Sequence, residues 1–220
     1  MKNNKRVFIC FALLLAIVGI WAYMSAHHVL LNAEESTSPP TNEGILNGKS
    51  VVFVIPSKDF RDEELIDVRK GLESKGAKTV VASTISDSVA GMLGAKVKPD
   101  GLLKDIKVKN FDAVVFVGGT GSSELWDNKD AQKIAKQAAE NKKVVAAICL
   151  APMILAKAGL LNKCAATISP SLKAEFEKMK IKYSSKPVEV CGMFITASGP
   201  EAVAEFTKAI VSLLKESPKK

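Results

Sequence analysis

Cys149 is the residue of this chain best placed for covalent chemistry. It follows the run VVAAI (Val144 to Ile148) directly, and Pro152, three residues on, suits the first turn of a helix. A thiol at such a strand-to-helix turn points out of the end of a sheet, where the partial positive charge of a helix N-terminus favours thiolate. Apolar-flanked cysteines elsewhere are commonly inert core residues; the turn is what singles out Cys149. A thiolate there would add to an electrophilic carbon or be oxidised at sulfur.

Addition to a carbonyl creates an oxyanion that needs N–H donors. Gly118 and Gly119 come straight after the run AVVFV, where missing side chains let the backbone approach a neighbour closely. With the backbone of Leu150, next to the cysteine, they form the candidate oxyanion donors. A proton acceptor is needed as well, and the run DFRDEEL offers Asp62, Glu63 and Glu64, which helical periodicity alone leaves nearly equivalent. The same glycine run does not make a dinucleotide loop: GGTGSSE supplies Gly119 and Gly121, but Glu124 stands where the third glycine should be. No metal or cofactor is assigned.

The elements that must position these residues read as an α/β domain. Short β-branched runs at 51–55, 79–83, 113–117, 144–148, 165–168 and 193–196 alternate with helical patterns at 62–75, 131–140, 152–159, 172–179 and 201–214. The expectation is a three-layer, flavodoxin-like sandwich around a mostly parallel sheet. The irregular stretch 86–110 has room for a small hairpin. Ligands of such sheets bind beyond the carboxyl ends of the strands, which is where Glu64, Gly118 and Cys149 fall.

Ahead of the domain, Val7 to Met24 form an uncharged apolar run long enough to cross a bilayer. Lys2, Lys5 and Arg6 precede it and Glu34 and Glu35 follow, so the expectation is a signal anchor over 1–31 with the domain on the far side of the membrane; a cleaved signal peptide is the alternative. Cys10 within the run reads as lipid-facing. Residues 32–48, rich in Ser, Pro, Thr, Asn and Gly, read as a linker, and 49–220 as the domain. The net charge of +8 comes from lysines dispersed among acidic residues, with no basic run interleaved with aromatics, which argues against nucleic acid as a partner. Cys164 and Cys191 either pair or lie buried as apolar residues, the buried reading being preferred.

Three runs, FVGGTGSSELW, KVVAAICLAPMILAKAGLL and FITASGPEAVAEFTKAIVSLL, resemble the third-strand glycines, nucleophile elbow and C-terminal segment of the ThiJ/PfpI (DJ-1-like) family, a likeness covering about Lys49 to Leu214. The resemblance implies Cys149 as the reactive cysteine, Gly119 as the backbone donor facing it, and Glu64 as the glutamate that hydrogen-bonds the sulfur. It also implies a homodimer. Departures matter too. Leu150 stands where peptidase members carry histidine, Ser169 and Pro170 where other members carry one, and the C-terminal pattern reads Ala197-Ser198-Gly199-Pro200 without an arginine. The only histidines, His27 and His28, lie outside the domain, which argues against a papain-like peptidase. The expected activity is that of a glyoxalase, deglycase or similar hydrolase on small carbonyl or peptide substrates. The alternative is a redox-responsive or chaperone-like protein that works through oxidation of Cys149.

Overall fold

The computed structural model describes residues 44–217. Its strands are β1 (Ser50–Val54), β2 (Lys78–Ser83), β3 (Val89–Ala90), β4 (Lys96–Val97), β5 (Gly101–Leu102), β6 (Ala113–Phe116), β7 (Val144–Ile148), β8 (Ala165–Ala166), β9 (Lys182–Tyr183), β10 (Val188–Cys191) and β11 (Phe194–Ala197). Its α-helices are α1 (Asp62–Glu73), α2 (Lys129–Glu140), α3 (Pro152–Lys157), α4 (Lys173–Lys178) and α5 (Val203–Glu216). Seven strands form one sheet in the order β10-β11-β7-β6-β1-β2-β5. All its pairings are parallel except β10 with β11.

Apart from Ser50 at the start of β1, strands β1, β6 and β7 are apolar throughout because both faces are covered. Val51 and Phe53 of β1 pack with Leu65, Val68 and Leu72 of α1 and with Phe206 and Ile210 of α5, whereas Val52 and Val54 face Ile134 and Ala138 of α2 and Ile154 of α3. This is the expected three-layer sandwich. The sheet also explains why distant residues meet. β1, β6 and β7 lie side by side and run the same way, so the segments leaving their carboxyl ends, which carry Glu64, Gly118 and Cys149, converge at one rim.

Several boundaries differ from the sequence reading. The 86–110 stretch does contain a hairpin, β3 with β4. The edge strand β10 was not foreseen: in its Pro-flanked run SSKPVEVC only Val188 is buried and Val190 is exposed, so no period shows. Leu46, placed in the linker by composition, is fully buried, and its N–H donates to Lys75 O (2.8 Å), so packing begins before residue 49.

The expected membrane placement is corrected here. Among the described residues no helix is long and apolar enough to cross a membrane. The longest, α5, has 14 residues, against about 20 for a span. The run 7–24 on which the anchor and the outward-facing domain were based lies outside the described residues. A second correction concerns the cysteines: Cys164 and Cys191 are not separate core residues but form a disulfide, with Cα atoms 5.8 Å apart. The strand that follows Cys164, β8, lies beside β10, which ends on Cys191, and this brings the two within bridging range.

The bridge spans 27 residues of chain. Loop-closure entropy for that length gives about 3.5 kcal/mol. We expect the double variant Cys164→Ser/Cys191→Ser to lose stability on that order in urea unfolding. An unchanged midpoint would show that the pair contributes no constraint.

Candidate active site

Cys149 occupies the first position after β7 with φ +62°, a left-handed conformation that a cysteine rarely adopts. Its neighbours hold it there. The Cys149 N–H donates to Ala197 O (2.9 Å), and Cys149 O accepts from the Ser169 N–H (2.9 Å). Within a trans peptide the C=O and N–H point in opposite directions. Ser169, by holding the Cys149 carbonyl, therefore turns the Leu150 N–H the other way, and that N–H hydrogen-bonds the sulfur.

The second donor is aimed by the same device. Arg61 N–H donates to Gly118 O (3.1 Å), which turns the Gly119 N–H towards the Cys149 sulfur. Gly119 itself sits at φ +97°, and a Cβ there would lie 2.3 Å from Asp59 O and 2.5 Å from Arg61 N. Gly118 is more tightly enclosed: a Cβ would lie 2.6 Å from both Cys149 Cβ and Glu64 Oε2, and 2.7 Å from Ile148 O. The diglycine is thus required by packing around the thiol and the carboxyl.

Glu64, in the first turn of α1, is fully buried. Its Oε2 accepts the Gly118 N–H (2.9 Å), and its Oε1, also buried, has no hydrogen-bond partner among the described residues. Burial pushes its pKa up to about 8, against the lowering effects of the Gly118 N–H, the Cys149 thiol and Arg61. It is therefore a neutral acid at neutral pH. The Cys149 thiol hydrogen-bonds the carboxyl as well, which favours the ionised carboxylate and the protonated thiol.

The thiol departs from the sequence expectation. Instead of being lowered by a helix N-terminus, the Cys149 pKa is pushed up to about 12, first by burial and then by the charge of Glu64, while the Gly119 and Leu150 N–H groups pull it down. The reason lies in the fold: the thiol is withdrawn from water beside a buried carboxyl, and α3, at six residues, is a short helix. The repulsion from Glu64 exists only when both groups have ionised. The pair therefore gives up one proton readily and the second only with difficulty.

All five residues singled out by sequence, Cys149, Glu64, Gly118, Gly119 and Leu150, come together. The three acidic residues that periodicity left equivalent are separated by their partners. Asp62 Oδ2 and Oδ1 accept the N–H groups of Leu93 and Ala95 (both 2.8 Å) and fasten the β3–β4 hairpin, and Glu63 pairs with Arg61 (2.8 Å). Asp62 is buried against the hairpin, and Glu64 alone of the three turns towards the thiol. Sequence reasoning missed Arg61, Ser169 as a backbone donor, and Trp126, whose Nε1–H donates to Leu150 O (3.1 Å) and braces the elbow. Trp126 closes the run FVGGTGSSELW, so a signal for it was present.

The DJ-1/PfpI family model matches residues 49–213. The chain belongs to the DJ-1/PfpI family. It is similar to an uncharacterized protein of Methanocaldococcus jannaschii, 35% identical over 206 residues that span 92% of this chain and 98% of that protein. It is also similar to a glutathione-independent glyoxalase of Caenorhabditis elegans, 29% identical over 172 residues, spanning 78% and 91%. Among solved structures, a ThiJ/PfpI domain protein from Brachyspira murdochii matches with a TM-score of 0.75 and 33% identity, covering 78% of this chain and 99% of that one.

Two outcomes follow from this geometry. Gly118→Ala should cost roughly 1–3 kcal/mol through overpacking and suppress alkylation of Cys149, since neither Cys149 Cβ nor the Ile148 carbonyl is the free end of a flexible side chain; normal reactivity with iodoacetamide would contradict it. Glu64→Gln should raise Tm by several degrees near pH 7.5 and by little near pH 5. The sign follows from the raised folded-state pKa: the unfolded carboxyl ionises in the ordinary range while the folded one stays neutral up to about 8, so native stability is lost as pH rises through that window. Thermal melts at the two pH values check it.

Proposed function

We propose that this protein is a cysteine-centred enzyme acting on small reactive carbonyls, with 2-oxoaldehydes as the substrate class. The observation that carries the reading is the buried Glu64 carboxyl, protonated at neutral pH and set against a thiol that two aimed N–H groups face. Membership of the DJ-1/PfpI family and the glyoxalase relative support the same substrate class.

Cys149 sulfur, as thiolate, bonds to the aldehyde carbon, and the carbonyl oxygen becomes an alkoxide held by the Gly119 and Leu150 N–H groups. Glu64 takes up the proton of the pair and delivers it where charge develops. In an isomerisation, the carboxylate then removes the hydrogen from the former aldehyde carbon and returns it to the neighbouring ketone carbon. One carbon is oxidised as its neighbour is reduced, so no external oxidant enters. Water cleaves the resulting thioester, releasing a 2-hydroxy acid and the thiol. No histidine lies within the described residues, so Glu64 is the proton carrier of this scheme. A homodimer belongs to the same reading and rests on family membership alone.

One observation favours a second reading. Cys149 is the one free cysteine among the described residues, Cys164 and Cys191 being joined. Oxidation of Cys149 would stop at sulfenic or sulfinic acid for want of a resolving thiol there.

Methylglyoxal is the probe that separates the two. We expect conversion to lactate by the wild-type protein, its loss in Cys149→Ser, and a fall of at least about 10²-fold in Glu64→Gln. Because the reactive form has lost one proton from the pair, kcat/KM should rise with pH and level off above about 8. Turnover that survives Cys149→Ser would sink the enzymatic reading, and absence of turnover beside clean sulfinic acid formation would favour the second.

A further inference from the structure

We infer that Arg61 gives the site a preference for carbonyl compounds that carry a negative group, the guanidinium receiving that group while Cys149 receives the carbonyl carbon. The inference rests on the carbonyl reading above and goes beyond it by naming which carbonyls are favoured.

Arg61 immediately precedes α1, and its main chain lies against the peptide whose N–H faces the sulfur: Arg61 N–H donates to Gly118 O (3.1 Å), and its nitrogen is 2.5 Å from where a Gly119 Cβ would sit. The residue is thereby fixed one peptide from the nucleophile's donor. Its side chain is 29% exposed. It is reachable from solvent at the same rim, and its charge favours the ionised forms of both Glu64 and Cys149.

The guanidinium already holds a carboxylate in this setting. Glu63 engages Nε (2.8 Å) and Nη2 (3.1 Å), a fork that uses two of its five N–H donors. No other acceptor among the described residues engages the remaining three. A pair about one-third exposed to water is held weakly, so a substrate carboxylate or phosphate has donors to meet without breaking a strong contact. The residue type is also selective. Of the chain's 31 basic residues only Arg6, Arg61 and Arg69 are arginines, and Arg69, two turns further along α1, is occupied by Glu73 and Thr79. A planar fork on a residue whose main chain adjoins the nucleophile's donor, and whose charge is felt at Cys149, suits carboxylate and phosphate better than a lysine ammonium would.

Two measurements test this, one independent of turnover. The first compares alkylation of Cys149 by iodoacetate and iodoacetamide, which differ in charge but share a mechanism; any change in the thiol's own ionisation alters both rates alike and cancels in their ratio. Arg61→Met should lower the iodoacetate to iodoacetamide ratio on the order of five- to tenfold, Arg61→Lys should restore part of it, and Glu63→Gln should raise it. The second compares kcat/KM for methylglyoxal and 4,5-dioxopentanoate, a 2-oxoaldehyde that carries a carboxylate. The loss in Arg61→Met should be at least fivefold larger for the anionic compound and appear mainly in KM. If neither aldehyde is converted but the alkylation ratio responds as stated, the carbonyl reading falls and the anion preference at the thiol stands. An alkylation ratio insensitive to Arg61→Met and Glu63→Gln overturns the inference whatever the turnover, as does an equal loss for both aldehydes.

Discussion

A carboxyl group removed from water must find its hydrogen bonds in the protein, and the need of Glu64 for them organises the carboxyl rim of this sheet. Gly118 meets it with a backbone N–H, which is possible only because Gly118 has no side chain and lies between Glu64 and Cys149. Burial in turn keeps Glu64 protonated near neutrality, so the nucleophile has an acid beside it instead of a permanent negative charge. Were Glu64 to face solvent, as Glu63 does, it would ionise in the ordinary range and only repel the thiolate.

The two N–H donors show how a rigid sheet produces precision at a loop. Neither Gly119 nor Leu150 is aimed by its own side chain. Each is aimed by a hydrogen bond to the carbonyl at the other end of the same peptide, from Arg61 in one case and Ser169 in the other. Both anchoring residues leave from different parts of the chain, and the left-handed backbone at Cys149 is tolerated because Ala197 and Ser169 fix it from two sides.

Much of this was legible in the sequence. The apolar runs of β1, β6 and β7 gave the sheet, and the placement of Cys149, Gly118 and the acidic run just beyond them gave the rim. What the sequence lacked was the direction of side chains and the balance of opposing fields. Asp62, Glu63 and Glu64 occupy consecutive helical positions and look alike until the hairpin, Arg61 and Gly118 each claim one. The thiol's raised pKa went unforeseen because the sequence shows a helix start but not how short that helix is or how deep the carboxyl lies. The pairing of Cys164 with Cys191 depended on β8 lying beside the edge strand β10, a contact between segments with weak period.

That disulfide has a reach beyond the strands it joins. The covalent ring it closes contains β8, β9 and the segment through Ser169, so one wall of the reactive centre belongs to a loop whose two ends are tied at the opposite end of the sheet. Ser169 orients the Leu150 peptide from inside that ring. The breadth of positions Ser169 can sample is therefore set by ring size as well as by its neighbours, and the alignment of a donor at the nucleophile becomes partly a matter of polymer topology, fixed by a bond that takes no part in the chemistry.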